Sequence, residues 1–180
     1  MKKTFLGLLV FMFMSLLVGC GNNTPTAKTE EYLNRYVSMS DDVKESMETT
    51  IAGEGLSTSN QEIYKEVLTR QYEDLKYEVK DETIDADNAV VTVKITVYDL
   101  YKSDVASLDY LNNNMQEFYT NNVLNQNAYD KYRIESMLET KETVDYEIDF
   151  YLTKENGTWI VQNPDSTTLE KIHGLYNYES

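Results

Sequence analysis

The chain has 180 residues, 41% hydrophobic and 26% charged, a balance that fits one ordinary folded domain and excludes collagen-like, disordered and multi-domain classes. Its 31 acidic and 16 basic residues give a net charge of -15, which argues against nucleic acid as a partner. One Cys excludes an internal disulfide framework, and one His leaves no imidazole cluster for a typical zinc site.

Lys2 and Lys3 precede an almost uncharged apolar run from Phe5 to Val18, the arrangement of a positive n-region and an h-region. About 14 apolar residues fall short of the roughly 20 that a membrane-spanning helix needs, so removal is the expected fate of this segment. Leu17, Val18, Gly19 and Cys20 resemble the lipobox of bacterial lipoproteins. That resemblance implies residues 1–19 as a signal peptide cut just before Cys20, and a diacylglycerol, with acyl chains such as palmitate, on the Cys20 thiol. Two acyl chains, at roughly 0.8 kcal/mol per buried methylene, make a long-lived anchor. Cleavage removes Lys2 and Lys3 from the 16 bases and no acid, leaving 14 bases against 31 acids over 161 residues. Anionic headgroups repel such a domain, so the acyl chains must do the attaching. Residues 20–29 are polar, contain Pro25 and read as the lipidated Cys and a spacer, with residues 30–180 as a single domain. Fully extended, that spacer reaches at most about 30 Å.

From Thr29, Leu33, Tyr36, Val37, Val43, Met47 and Ile51 form one helical stripe, with Ser38 to Asp42 as a break between two helices. Gly53, Gly55 and Ser57 to Asn60 end that unit, and an amphipathic helix follows to about Asp74 with Ile63, Val67, Leu68 and Tyr72 inward. The period then becomes two: Leu75, Tyr77 and Val79, a turn at Asp85 to Asn88, and Ala89, Val91, Val93, Ile95 and Val97 predict a hairpin. Asp104 is expected to open a helix with Val105, Leu108, Leu111, Met115, Phe118 and Tyr119 on its inner face. The Asn-rich stretch 121–127 interrupts it, and a shorter helix runs through Tyr132 to Leu138. Val144 to Leu152 alternates again, Asn156 and Gly157 make a turn, and Thr158 to Gln162 forms a fourth strand. Thr167 and Glu170 have capping-box spacing for a last helix holding Leu169, Ile172 and Leu175.

Helices, a hairpin, a helical insertion and a second hairpin predict an α+β fold, an antiparallel curved sheet with helices on one face. This order resembles the NTF2-like, or cystatin-like, superfamily. Gln71, Tyr72, Leu75, Tyr77, Lys80 to Glu82, Ile84, Asp85 and Val97 to Lys102 are similar to a group of small Gram-positive lipoproteins without an assigned activity. Leu152 to Lys154, Trp159, Val161, Lys171 to Gly174 and Tyr176 share that look. The terminal helix is an addition to the usual NTF2-like strand ending.

Chemistry has few carriers. His173, beside Gly174 near a helix end, has the residue type of a general base, although a His at a helix C-terminus also complements the dipole. Asp99, flanked by Tyr98 and Tyr101, is placed for a pocket mouth, or for a solvated strand end. Asp145, Glu147 and Asp149 share a strand face about 7 Å apart, too wide for one cation. Asp85 to Asn88 begins like an EF-hand, but Val90 and Thr96 stand where the Gly and the ligand Glu belong. No nucleophile elbow, P-loop or dinucleotide fingerprint occurs, and no metal or cofactor is assigned. Of the 15 Tyr, Tyr36, Tyr72, Tyr77 and Tyr146 fall on inward positions, whereas Tyr98, Tyr101, Tyr129, Tyr151, Tyr176 and Tyr178 are free for a recognition surface.

Two functions of different class follow. The first is a lipid-anchored, non-catalytic binding or interaction module on the outer face of a Gram-positive cytoplasmic membrane, its partner an envelope protein, peptide or glycan. The second is an NTF2-like enzyme acting on a small envelope-associated molecule, with Asp99 or His173 as base. A cystatin-like inhibitor has only the fold analogy behind it. An open conical pocket around either base favours the enzyme, and a filled cone favours the module.

Overall fold

The computed structural model describes residues 23–179. The expected signal segment and Cys20 lie outside the described residues. The fold is α+β, a four-stranded antiparallel curved sheet in the order β1-β2-β5-β6 with helices packed on one side. Three helices come first: α1 (Pro25–Val37), α2 (Asp41–Gly53) and α3 (Thr58–Glu73). Pro25 opens α1, where its missing N–H costs nothing, and the Thr24 hydroxyl accepts from Ala27 N–H at 3.1 Å. Met39, at φ 50, carries the chain from α1 to α2, the break expected at Ser38 to Asp42.

Strands β1 (Lys76–Asp85) and β2 (Asn88–Tyr98) form the first hairpin, with a register shift between Val79 and Asp81. The insertion comprises α4 (Leu100–Asn113), the single turn α5 (Met115–Phe118), a miniature hairpin of β3 (Tyr119–Thr120) and β4 (Val123–Leu124), and α6 (Gln126–Glu139). Strands β5 (Thr143–Glu155) and β6 (Thr158–Val161) follow, and α7 (Ser166–His173) closes the order. In register, Val93 faces Ile148 and Ile95 faces Tyr146. Ala89, Val91, Val93, Ile95 and Val97 on β2, with Tyr146, Ile148, Phe150 and Leu152 on β5, are all buried. Leu33 of α1, Leu68 and Tyr72 of α3 and Ile172 of α7 join them in one core. The insertion keeps a small core of its own, Leu111, Phe118 and Tyr129, beside the stacked rings of Tyr110 and Tyr132.

Several expectations need correction. Helix begins at Pro25 and Asn23 already bonds the sheet, so most of the expected 20–29 spacer belongs to the fold. Helix α4 opens at Leu100 and not at Asp104, because the Asp99 carboxylate caps it by accepting from Lys102 N–H at 3.0 Å. Its expected inner face holds only in part: Leu111 and Phe118 are buried, but Leu108 is 50% exposed and Met115 48%. Leu100, Ser107 and Leu111 are the buried positions: Leu100 enters the main core and Leu111 the core of the insertion. Asn121 and Asn122, at φ 52 and 63, supply the tight turn of the miniature hairpin instead of a plain interruption. Asp165, and not Thr167, caps α7, accepting from Thr168 N–H at 2.7 Å.

Ile148 stands at the centre of the sheet opposite Val93 and is buried. Ile148→Ala is expected to lower stability by about 2–5 kcal/mol in urea unfolding. A loss below about 0.5 kcal/mol would contradict the register.

Candidate functional site

The sequence singled out Tyr98, Asp99, Tyr101 and His173, and the fold brings all four to the end of the sheet where β2 finishes beside the start of β5. Gln71 on α3 organises this end. Its side chain lies on the apolar stripe with Leu68 and Leu75, so the amide is carried into the core. There it accepts from Tyr98 N–H at 3.1 Å and donates to Tyr98 O at 3.4 Å and Ile172 O at 3.3 Å. One amide thus satisfies backbone groups of β2 and α7 that α3 would otherwise strand. Next to it, Gly174 ends α7 at φ 72. A Cβ there would stand 2.2 Å from Tyr98 O and 2.4 Å from Gln71 Nε2.

Each predicted residue has structural employment. The Tyr98 ring lies under the Arg70 guanidinium at 3.7 Å, and its hydroxyl donates to Asp74 at 2.7 Å. Arg70 also donates to the carbonyls of Leu138 and Thr140, stapling α6 to α3. Asp99 is buried, caps α4 and accepts from the Tyr178 hydroxyl at 2.8 Å. The hydrogen bond to the Asp99 carboxylate in turn pushes the Tyr178 hydroxyl up to about 12, because ionisation would forfeit that bond and set two anions side by side. Tyr101 N–H donates to Gly174 O at 2.8 Å and its ring meets Tyr178 edge-on at 5.2 Å. His173 packs on the Tyr72 ring at 5.7 Å, and burial pushes its pKa down to about 4. It is neutral at pH 7 and a weak proton acceptor there.

The four residues share a neighbourhood but not a cavity. His173 lines none of five surface clefts of about 130–470 Å³. Asp99 forms one wall of an open cleft of about 390 Å³ between α4 and the Glu139 to Glu142 segment. The expected conical space above the sheet is filled by the core, and Tyr176 packs edge-on against Tyr146 at 5.7 Å. Two tyrosines depart from their reading as surface residues: Tyr129 is buried in the insertion core, and the Tyr176 ring covers Tyr146. Tyr151, 56% exposed, and Tyr178 keep it. Gln71 and Arg70 are the neighbours of these residues that sequence reasoning missed, whereas Tyr146 is inward as expected. A polar Gln on an otherwise apolar stripe was the available signal for the first.

The acid stripe on β5 faces outward, with Asp145 and Asp149 accepting from Thr96 and Thr92 at 2.5 and 2.6 Å. Lys94 pairs with Asp145 at 2.7 Å. Among the described residues no group of three or more His, Cys, Asp or Glu is placed to hold a metal ion, and no helix is long and apolar enough to cross a membrane.

No family profile and no curated protein matches the chain. Among solved structures it is similar to ycdA of Bacillus subtilis, described as a candidate lipoprotein, with 13% identity and a TM-score of 0.46. The match covers 76% of this chain and 47% of that one, so the chain spans less than half the length of that protein.

Neutral His173 is tolerated by its surroundings and the imidazolium is not, so the unfolded chain binds the proton more readily. Stability is therefore present above about pH 6.5 and is lost as pH falls toward about 4. His173→Phe is expected to remove about 2 kcal/mol of that acid-side loss, seen by comparing urea midpoints of both proteins from pH 7 to pH 4. Parallel curves would show that His173 titrates freely. Gly174→Ala is expected to cost at least about 2 kcal/mol in the same assay, through the positive φ and the collision with Tyr98 O and Gln71.

Proposed function

We propose that this chain is a lipoprotein of the outer face of a Gram-positive cytoplasmic membrane, anchored by a diacylglycerol on Cys20, and that its NTF2-like domain is a non-catalytic binding or interaction module. The observation that carries the second half is the employment of both candidate bases. Asp99 is a helix cap bonded by Tyr178, and His173 is a neutral packing partner of Tyr72. A base needs an open, water-poor site with room for substrate, and the concave face of the sheet is filled with side chains. The alternative, an enzyme acting on a small envelope-associated molecule, keeps only the open cleft beside Asp99.

The anchor reading rests on the sequence from Lys2 to Cys20 and gains geometry from Asn23. Asn23 donates to Gly157 O at 2.8 Å and accepts from Trp159 N–H at 3.0 Å, which fixes the start of the fold to the β5–β6 turn. Two residues separate it from Cys20, so the anchor would hold that turn within about 10 Å of the lipid. The neighbouring β1–β2 turn, tied on by Lys154 N–H to Asp87 O, carries Asp85 and Asp87. Such an end is repelled by anionic headgroups, consistent with attachment by acyl chains alone.

The intact mass of the membrane-extracted protein should correspond to a chain beginning at a diacylglycerol-modified Cys20, and Cys20→Ala should leave the precursor uncleaved or release the protein. An unmodified terminus at another residue would overturn the anchor. Incubated with envelope extracts, the protein should retain at least one component and consume no metabolite. Turnover abolished by His173→Ala or Asp99→Asn would establish the enzyme instead.

A further inference from the structure

Strand β5 is open along most of one edge. β6 pairs with Leu152 to Glu155, and one more bond, Gln162 N–H to Tyr151 O at 2.8 Å, continues that ladder. The chain then turns away through Asn163 to Asp165 into α7. From Thr143 to Tyr151, β5 pairs with β2 on one side, and among the described residues no strand lies on the other. The backbone period of two decides which groups face outward. Tyr151 O points toward Gln162, so the N–H and C=O groups of Asp149 and Glu147 point the same way. Two contacts agree. Lys171 Nζ reaches Glu147 O from the open side at 3.1 Å. Thr92 and Thr96 bond Asp149 and Asp145 side chain to side chain across β2, as the closer, non-hydrogen-bonded pairs of an antiparallel ladder do.

A cleft of about 300 Å³ runs beside this edge, with Glu147 to Tyr151 on one wall and Asn163, Asp165, Thr168 and Lys171 on the other. We propose that the edge of β5 from Asp145 to Tyr151 takes an extended basic peptide as an added strand. The proposal rests on the module reading above and names its site. Main-chain bonds to Glu147 and Asp149 supply affinity, and alternate side chains of the guest supply specificity. The charge chooses the guest. Glu147 and Asp149 have no ion pair among the described residues, and Lys94 is already committed to Asp145. Lys or Arg at every second position of an added strand would lie beside these carboxylates, with Tyr151 covering a long aliphatic stem. A second copy is the wrong occupant, because two β5 edges would set the same acidic stripe against itself. Lys171 guards the edge with one exposed bond that an incoming amide replaces, and its ammonium retains the Tyr176 ring at 5.2 Å.

The probe is a fluorescein-labelled nine-residue peptide of alternating Lys and Thr, titrated by anisotropy into the membrane-extracted protein. It is expected to bind and to slow hydrogen exchange at the amides of Glu147 and Asp149. N-methylation of alternate probe amides should weaken binding at least about tenfold, and a Glu-for-Lys probe should not bind. Asp149→Pro should weaken the unmodified probe at least about tenfold while leaving circular dichroism unchanged, because the lost N–H faces the open side. Equal binding of the methylated probe to the wild-type protein would reduce the effect to charge attraction and overturn the proposal, whether or not the Pro variant folds. So would a dimer in sedimentation that Asp149→Pro dissociates. Envelope components still retained by a protein that ignores the probe would remove this site and leave the module reading standing.

Discussion

A polar group taken into a core must find all its partners there, and Gln71 is where this fold meets that demand. Its amide bonds to Tyr98 and Ile172 join the third helix, the end of the second strand and the last helix. Losing one partner would strand a buried backbone group at about 1–3 kcal/mol, more than the bond itself returns on formation. The junction leaves no room for a side chain at position 174. Gly174 in turn lets the chain reverse after α7, so its carbonyl meets Tyr101 N–H and the tail crosses to Tyr146 and Asp99. The far end of the sheet is closed because one glutamine has to be satisfied.

That closure explains how four residues of catalytic type can gather without forming a catalytic site. Asp99 has a carboxylate, but the Lys102 amide and the Tyr178 hydroxyl hold it. His173 has an imidazole, but burial against Tyr72 keeps it neutral far into the acid range. The Tyr146 hydroxyl is buried without a bonding partner among the described residues. Burial and the nearby Asp99 carboxylate keep it protonated. Proximity supplies chemistry only where a reacting atom can enter.

The periodic elements were legible in the sequence because burial on one face writes a period that composition cannot imitate. Val91 to Val97 and Val144 to Leu152 fell on the expected face, and the break at Ser38 to Asp42 and the turn at Asn156 and Gly157 stand where expected. The insertion was not legible. Val105, Leu108 and Met115 keep helical spacing, yet α4 packs on α6 and α5 through other positions and leaves these three exposed. Asp99 as a cap was obscured by Asp104, an equally good capping type five residues on. Tyr98, Asp99 and Tyr101 were legible as neighbours along the chain, but their meeting with His173 was not. Nor was what they do there, because Gln71 and Tyr178 reach them from distant parts of the chain.

Charge and tether together bear on which end of the domain faces a partner. β5 runs thirteen residues from Thr143 to Glu155, about 40 Å of extended chain. With an anchor at Cys20, the Asn156–Gly157 turn is the membrane-near end, since Asn23 is bonded to it. The open edge and the acidic stripe then lie further from the lipid, toward the opposite end of the sheet. Cut before Cys20, a chain with 14 bases against 31 acids would be repelled by an anionic surface, and the domain would stand away from it on its short tether. The same field would draw cationic segments inward and orient them before contact. An edge strand flanked by acids and distant from the anchor thus offers a basic partner both unpaired backbone and opposite charge.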